Sequence, residues 1–385
     1  MTGRDTTEPH RVSSPLELLF DLTFVVAIAQ VTAQLAHAVI EGHAGEMLIP
    51  FAMVFFAIWW AWMNFTWFAS AYDTDDVPYR LLVMVQMIGV LVLAAGVPAA
   101  FNDGNLLAIT IGFFVMRLGL AAQWIRAGIE YPDGRRTAFR YSAGIVLLQV
   151  GWWARLSLPG EATGVLIGAT LVLIALELCV PPWAERTGGT PWHPHHIAER
   201  YGLFTIILLG ESVLAATTGV QNALVANGVS VLLVVIAFAG FVLLFGLWWL
   251  YFLEPAGEGL EVKRGLSYAW GYGHYGIFAA LAAVGAGLEV AVEAAGHHLE
   301  ISAVGATEAV AIPTAIFLVL LWLVHAPLVA RLVIRPAVIL PAAAVVLALP
   351  FLAPSLGIAG VVIAIALVCA VVIAATILAR QASSA

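Results

Sequence analysis

Long apolar runs separated by short polar breaks are the dominant pattern of this sequence. Each run approaches the roughly 20 residues that an α-helix needs to cross about 30 Å of hydrocarbon. The breaks carry charge, Gly or Pro, as at residues 73–76 and 187–194. The break at 331–335 is the weakest, and eleven spans is the rival count. The pattern predicts twelve transmembrane helices, near residues 15–40, 47–69, 78–100, 105–128, 137–156, 162–182, 197–219, 228–253, 264–290, 306–330, 333–352 and 357–379.

Composition supports a membrane protein. The chain has 385 residues, of which 62% are hydrophobic and 10% charged, whereas soluble domains average about 45–50% apolar and about 25% charged. We therefore expect an all-α polytopic transmembrane bundle whose main partner is the lipid bilayer. The net charge of −8 argues against a nucleic-acid partner, which needs clustered cations. Cys179 and Cys369 lie in apolar runs and are expected to be packing residues, and we expect no cofactor.

The distribution of cations predicts the orientation. With a cytoplasmic N-terminus, alternation over twelve spans places fourteen of the sixteen Lys and Arg residues on the inner side. Arg155 is then outside and Arg117 lies within a span. Because cytoplasmic loops carry an excess of Lys and Arg, both termini are predicted to be cytoplasmic. The polar N-terminus lacks the pattern of a cleaved signal peptide, so the first run is expected to be a retained span.

An internal repeat is indicated by two spans that share residues at a constant offset. Glu17 and Thr23 of the first span recur 182 positions later as Glu199 and Thr205 of the seventh. We predict a duplicated 6+6 architecture, in which an even number of spans per half gives a parallel repeat. The predicted organisation is a cytoplasmic tail (1–13), a first six-helix half (14–190) and a second six-helix half (191–385).

Ionisable residues inside spans cost about 2.5–3.5 kcal/mol each on insertion scales, so each needs a reason. The first span carries Glu17 and Asp21, the fourth Arg117 and the sixth Glu177. A helical rise of about 1.5 Å per residue puts Asp21, Arg117 and Glu177 at similar depth in the inner half. We predict that these three share one buried site. It is either a salt bridge that fixes helix packing or a substrate or proton site, in which the excess of carboxylates supplies spare acid.

The seventh span carries a second set of charges. Glu199 and Arg200 stand at its start, near the interface, where Arg200 can snorkel to water. Glu211 lies eleven residues after Arg200 on the same face, about 21 Å into the span and too deep to do the same. Its carboxyl must be protonated, solvated by a cavity or paired with a neighbouring span, for which His274 in the ninth span is the candidate. We predict a functional role for Glu211.

Two polar segments between spans could also carry chemistry. Asp73, Asp75 and Asp76 with Arg80 form a cytoplasmic acidic motif, which predicts either an N-cap with an Asp–Arg pair or a mouth that attracts cations. The histidine clusters at 193–196 and 297–298 lack the ligand spacing of a zinc site. No metal is therefore expected.

The first span contains the motif ELLFDLTFVVAI at residues 17–28, and the fourth contains Arg117. The motif resembles the opening E-L-F-F-D-L-V-F-V-F-A-I of the bacterial low temperature requirement A family, and Arg117 is similar to that family's arginine of span four. Residues 72–76 with Arg80 and Gln86 resemble its second block, and residues 196–211 its block H-x-x-E-R-x-G-L-F-x-I-I-x-L-G-E. The departures are Leu19 for Phe and Thr23 for Val. The resemblance implies a bacterial plasma-membrane protein linked to growth in the cold, and it supplies neither reaction nor substrate.

Three functions fit these observations. The first is a transporter or channel-like permeation protein for an unidentified small solute or ion, with inward-facing charges in a repeat architecture. The second is a membrane-embedded enzyme on a lipid-borne substrate, with His274 or His196 as acid or base. The third is a structural or signalling protein whose ion pairs only fix packing.

Transport predicts a polar cavity that reaches water, an enzyme predicts carboxylates open at headgroup level, and the structural hypothesis predicts closed, paired charges. The oligomeric state is not set by the sequence.

Overall fold

The protein is all-helical. The computed structural model describes residues 1–385 except 2, 5–7, 9–11, 73, 159–162, 229, 255, 297–300, 330–332 and 385, and no strand occurs in the described part. The helices are α1 (Pro15–Ile40), α2 (Ala44–Tyr72), α3 (Val77–Asn102), α4 (Leu107–Glu130), α5 (Arg135–Leu156), α6 (Thr163–Ala184), α7 (Pro194–Asn227), α8 (Val231–Phe252), α9 (Ala256–Val262), α10 (Ser267–Gly296), α11 (Ala303–His325), α12 (Pro336–Ala348) and α13 (Ala353–Ser384). The predicted all-α class is thereby confirmed.

Each of the twelve predicted segments overlaps a helix, and α9 is an additional short one. Over the described residues, ten stretches are long and apolar enough to cross a membrane. The difference from twelve arises because α5, which carries several arginines, does not qualify, and because α12 and α13 count as one stretch, Pro336–Ala382. A count of twelve therefore stays a prediction.

The chain divides into two compact units. The first comprises Met1–Ala27 and Phe56–Arg200, and the second Ile28–Phe55 and Tyr201–Ala385. In the first unit, α3 and α4 approach so closely at Gly112 that a Cβ there would collide with the backbone of Leu93. In the second, a Cβ at Gly287 of α10 would collide with the backbone of Ala309 on α11. Small residues allow such close helix packing in membranes. The predicted six-helix halves, 14–190 and 191–385, stay a prediction.

Candidate functional site

Arg200 is the centre of a buried charge cluster in the first unit. Its Nη2 and Nε atoms donate to the two carboxylate oxygens of Asp21, at 2.5 and 3.1 Å. Its Nη1 atom lies 2.8 Å from Oε1 of Glu17. All three side chains are buried, so Arg200 is held by two carboxylates away from solvent. Charge-assisted contacts of this fork geometry are stronger than those between neutral groups.

His196 is the fourth member of this Arg200 cluster, which we define as Glu17, Asp21, His196 and Arg200. Its Nε2 atom lies 3.1 Å from Oε1 of Glu17. The arrangement follows from helical spacing, because Glu17 and Asp21 are four apart on α1 and His196 and Arg200 are four apart on α7. Two carboxylates thus face one guanidinium and one imidazole. With a charged guanidinium, the cluster has no net charge when one further proton is bound to the imidazole or to one of the two carboxylates.

Arg117 forms a second closed pair in the same unit. Its Nη2 atom donates to Oε2 of Glu177 at 2.7 Å, and both side chains are buried. The indole of Trp60 donates to the same oxygen at 2.9 Å, and that of Trp152 donates to Oε1 at 3.2 Å. Glu177 therefore receives three donors, which offset much of the cost of its burial.

These contacts correct two sequence-based expectations. The predicted burial of Arg117 beside Glu177 is confirmed, whereas Asp21 pairs with Arg200 instead, so the prediction that Asp21 shares this ion pair is wrong. Residue depth along a helix gives the height of a side chain but not the neighbour that it faces. The expectation that Arg200 snorkels to water is also wrong, because the paired carboxylates of α1 hold it in a buried position.

Three tryptophans on these helices were missed as contributors. The indole of Trp62 donates to Oδ1 of Asp21 at 2.8 Å, as those of Trp60 and Trp152 do to Glu177. A signal for this was present in the sequence, because Trp59, Trp60 and Trp62 lie in the middle of a span. Tryptophan in membranes prefers the interface, and buried indole N–H groups usually find an acceptor.

Glu199 lies apart from the ion pairs. It is half-buried, and its Oε1 atom accepts a hydrogen bond from the backbone N–H of Ser13 at 3.3 Å. It thereby ties the segment before α1 to the start of α7.

Glu211 stands in the second unit and has a different environment. Its side chain is only 5% exposed, and its Oε2 atom has no hydrogen-bond partner among the described residues. His274 is not its partner, so that expectation is wrong. The Nδ1 atom of His274 lies 2.7 Å from the carbonyl oxygen of Trp270 and its Nε2 atom 3.1 Å from the hydroxyl of Tyr251. Since Nδ1–H must donate to the carbonyl, Nε2 accepts from Tyr251 and the neutral ring is satisfied.

The acidic motif between α2 and α3 is a capping structure. The Oδ1 atom of Asp76 accepts from the backbone N–H of Tyr79 at 3.0 Å, so the predicted N-cap is present. Arg80 pairs with Asp75 through two bonds of 2.8 Å, and Asp76 pairs instead with Arg126 of α4.

Both described carboxylates of this motif titrate low. The hydrogen bond from Arg126 is the main reason that the pKa of Asp76 is lowered to about 2. That from Arg80 likewise lowers the pKa of Asp75. Asp73 lies outside the described residues, and so do His297 and His298.

The structure offers few other reactive groups. Cys179 and Cys369 are free thiols. Within the described ranges no group of three or more His, Cys, Asp or Glu side chains could hold a metal ion.

Many apolar helices with ion pairs closed between them define a multi-pass membrane protein. The family model described as bacterial low temperature requirement A protein (LtrA) matches residues 12–375, and the chain belongs to this family. The resemblance seen in the motifs is thus confirmed. Among curated relatives, the "Uncharacterized protein RA0937" of Rhizobium meliloti (strain 1021) is 29% identical over 290 residues, which cover 70% of this chain and 67% of the relative.

Proposed function

We propose that this protein is a transporter or channel-like permeation protein of the bacterial plasma membrane, which moves a small solute or ion. The observation that carries the proposal is Glu211, a buried carboxyl whose Oε2 atom has no partner in the described structure. In the first unit, by contrast, Glu17, Asp21 and Glu177 each face a guanidinium. An uncompensated carboxylate in a membrane is costly, so its presence indicates a role that needs the charge or its titration.

A twelve-span topology is part of this proposal, and the surface of α5 supports it. Leu147 and Val150 of α5 are 69% and 67% exposed, whereas the polar Gln149 between them is buried. A helix that turns its apolar side chains outward and its amide inward is suited to lipid. The low average hydropathy of α5 arises from its arginines and inward-facing polar groups, which are compatible with a span.

The break between α12 and α13 supports counting them separately. A short 3-10 segment, Leu349–Leu352, contains Pro350, and Gly357 has a φ of +70° within α13. Proline removes a helical hydrogen bond, and a positive φ interrupts the right-handed helix.

With twelve spans, the excess of Lys and Arg on one side supports cytoplasmic termini. The matching offsets of the first and seventh spans support a 6+6 parallel repeat.

A structural or signalling role is the second candidate, and a specific observation favours it. The ion pairs of the first unit are buried and closed, as expected of charges that only fix helix packing. The enzyme alternative expects carboxylates that open at headgroup level, and Glu17, Asp21 and Glu177 are 0–1% exposed. Glu211 therefore separates the two leading candidates.

Substitution of Glu211 tests the proposal. Glu211→Gln keeps the shape of the side chain and removes its charge and titration, so we expect a folded, membrane-inserted protein that no longer supports growth at low temperature. Glu211→Leu should give the same result. The measurement is complementation of a strain that lacks the gene, with immunoblots of the membrane fraction as a check on insertion. Glu308→Gln, which changes a half-buried carboxyl of α11, is the matched control and should complement. Full complementation by Glu211→Gln would favour the structural role.

A further inference from the structure

Helices α7 and α10 of the second unit lie side by side and run in the same direction. The hydroxyl of Ser212 lies 3.4 Å from the carbonyl oxygen of Leu281, and a Cβ built at Gly219 would lie 3.3 Å from the carbonyl oxygen of Glu289. An advance of seven residues along α7 is thus matched by an advance of eight along α10. The two helices are therefore in contact from the level of Ser212 to that of Asn222 and Glu293.

Three carboxyl groups follow this contact, and we name them the acidic ladder: Glu211, Glu289 and Glu293. Glu289 is half-buried, and its backbone carbonyl lies against Gly219 of α7, eight residues beyond Glu211. The Oε1 atom of Glu293 accepts a hydrogen bond from Nδ2 of Asn222 at 2.9 Å, close to the ends of both helices. Glu289 and Glu293 are one turn apart, about 6 Å along the axis. The ladder therefore reaches from the ends of α7 and α10 to the buried carboxyl of Glu211.

Among the described residues, few charged groups face the acidic ladder from the surrounding helices. Described residues of α7 after Arg200 and of α10 include no Lys or Arg, and α8 carries no Asp, Glu, Lys, Arg or His. The neighbouring α11 contributes Glu308 at this end, and the α2 segment of this unit contributes the exposed Glu46. His37 and Glu41 of α1 lie 3.2 Å apart and pair with each other. A cationic species is thus the natural counterpart of the ladder.

The proton fits this environment better than a metal cation. Magnesium and calcium need about six or more oxygen ligands, and the described residues around Glu211 do not supply them. The hydroxyl of Ser212 is already donated to the carbonyl oxygen of Leu208 at 2.9 Å, and no described cluster could hold a metal. A proton needs only one carboxylate. The step of about 6 Å between Glu289 and Glu293 can be bridged by one water molecule. The step from Glu211 to the level of Glu289 is about 12 Å along the helix axis and needs a short chain of waters.

We propose that the acidic ladder carries protons between Glu211 and the membrane face at which α7 and α10 end, which makes the proton the transported or coupling ion of this protein. This inference rests on the proposed transport function and names its ion. The step itself is proton exchange along a chain of carboxyls and waters, so each group that releases a proton receives another. No bond to carbon changes and no oxidant is required.

Infrared spectroscopy of the purified full-length protein in lipid nanodiscs tests the ladder without knowledge of a solute. A protonated buried carboxyl has a separate C=O stretching band, which shifts when its proton exchanges for deuterium. We expect one such band to be missing in Glu211→Gln. In Glu289→Leu we expect the band to persist but its exchange after transfer to D₂O to slow about a hundredfold, the scale of a lost positioned proton-transfer group. Glu308→Leu is the matched control and should exchange at the wild-type rate.

Two results would overturn the inference. One is a wild-type spectrum from which Glu211→Gln removes no protonated-carboxyl band. The other is deuterium exchange at the wild-type rate in Glu289→Leu and Glu293→Leu. If one of these variants does not fold, exchange at the wild-type rate in the other is sufficient. Failure of the proposed function is distinguishable, because solute flux is measured separately. Loss of flux in Glu211→Gln together with unchanged exchange in the ladder variants would refute the ladder alone.

Discussion

At the scale of single residues, burial in the first unit is balanced by specific donors. Glu177 receives a guanidinium and two indoles, and Asp21 receives a guanidinium and one indole. Removing water from a carboxylate is expensive, and the attraction of one cation offsets that cost only when further hydrogen bonds satisfy the remaining lone pairs. The tryptophans of α2 are therefore part of the ion-pair structure.

Arg117 offers a direct test of this balance. We expect Arg117→Ala to lower the free energy of unfolding by about 3–5 kcal/mol, because it leaves Glu177 buried without a cation. The double variant Arg117→Leu/Glu177→Leu should recover most of that loss. The measurement is reversible unfolding in detergent micelles. The exposed pair of Arg80 with Asp75 is the control, for which Arg80→Ala should cost far less because solvent screens the pair. A cost for Arg117→Ala no greater than that of the control would contradict the account.

The sequence identifies the buried charges and one of their pairings, that of Arg117 with Glu177, but not the partners of Asp21 and Glu17. Glu17, Asp21, Arg117, Glu177 and Glu211 were singled out because ionisable residues are rare in apolar runs. Their pairing depends on which helix faces which, and a spacing along one chain contains no such information. The position of Arg200 near a helix start predicts an interfacial side chain, yet helix α7 brings it to the two carboxylates of α1.

At the scale of secondary structure, hydropathy was sufficient to locate the helices because the length of each apolar run is set by the membrane. The predicted division of residues 333–379 into two spans coincides with the break at Pro350 and Gly357, although hydropathy alone runs through it as one stretch. The start of α3 was clearer, since Asp76 precedes a helix with Pro78 in its first turn and serves as its N-cap.

The N-cap of α3 gives a prediction with a pH dependence. Asp76→Ala removes the cap and the pairing with Arg126, so we expect it to cost about 1–2 kcal/mol of unfolding free energy at pH 7. The folded-state pKa of Asp76 is lowered to about 2 from its ordinary 3.8. Its contribution is therefore complete above about pH 4 and is lost as the pH falls towards 2. The side chain of Asp76 is 38% exposed, and solvent screening weakens its interactions. The pH-dependent share of its contribution to the free energy of unfolding is therefore about 1 kcal/mol.

Unfolding of wild type and Asp76→Ala between pH 7 and pH 2 checks this expectation, with Asp75→Ala as the control for a solvent-exposed pair. The difference between wild type and Asp76→Ala should shrink as the solution becomes acidic. A difference that stays constant or grows on acidification would show that the ionised cap is not the stabilising form.

At the scale of the whole molecule, the topology is the property on which the functional proposal depends. The cation distribution and the outward apolar face of α5 both support twelve spans with cytoplasmic termini. Reporter fusions are expected to signal cytoplasm at Gly134 and Ala385 and exterior at Gly296. An exterior signal at Ala385 would exclude an even number of spans.

The central claim is that this member of the LtrA family moves a solute or ion by means of Glu211, and flux through purified proteoliposomes measures it most directly. The screen compares protons, alkali cations and small metabolites for wild type, Glu211→Gln and the control Glu308→Gln, with equal reconstitution confirmed by protein content. At least one species should cross with wild type and Glu308→Gln but not with Glu211→Gln. Equal flux of that species through Glu211→Gln and wild type would show that Glu211 does not carry transport.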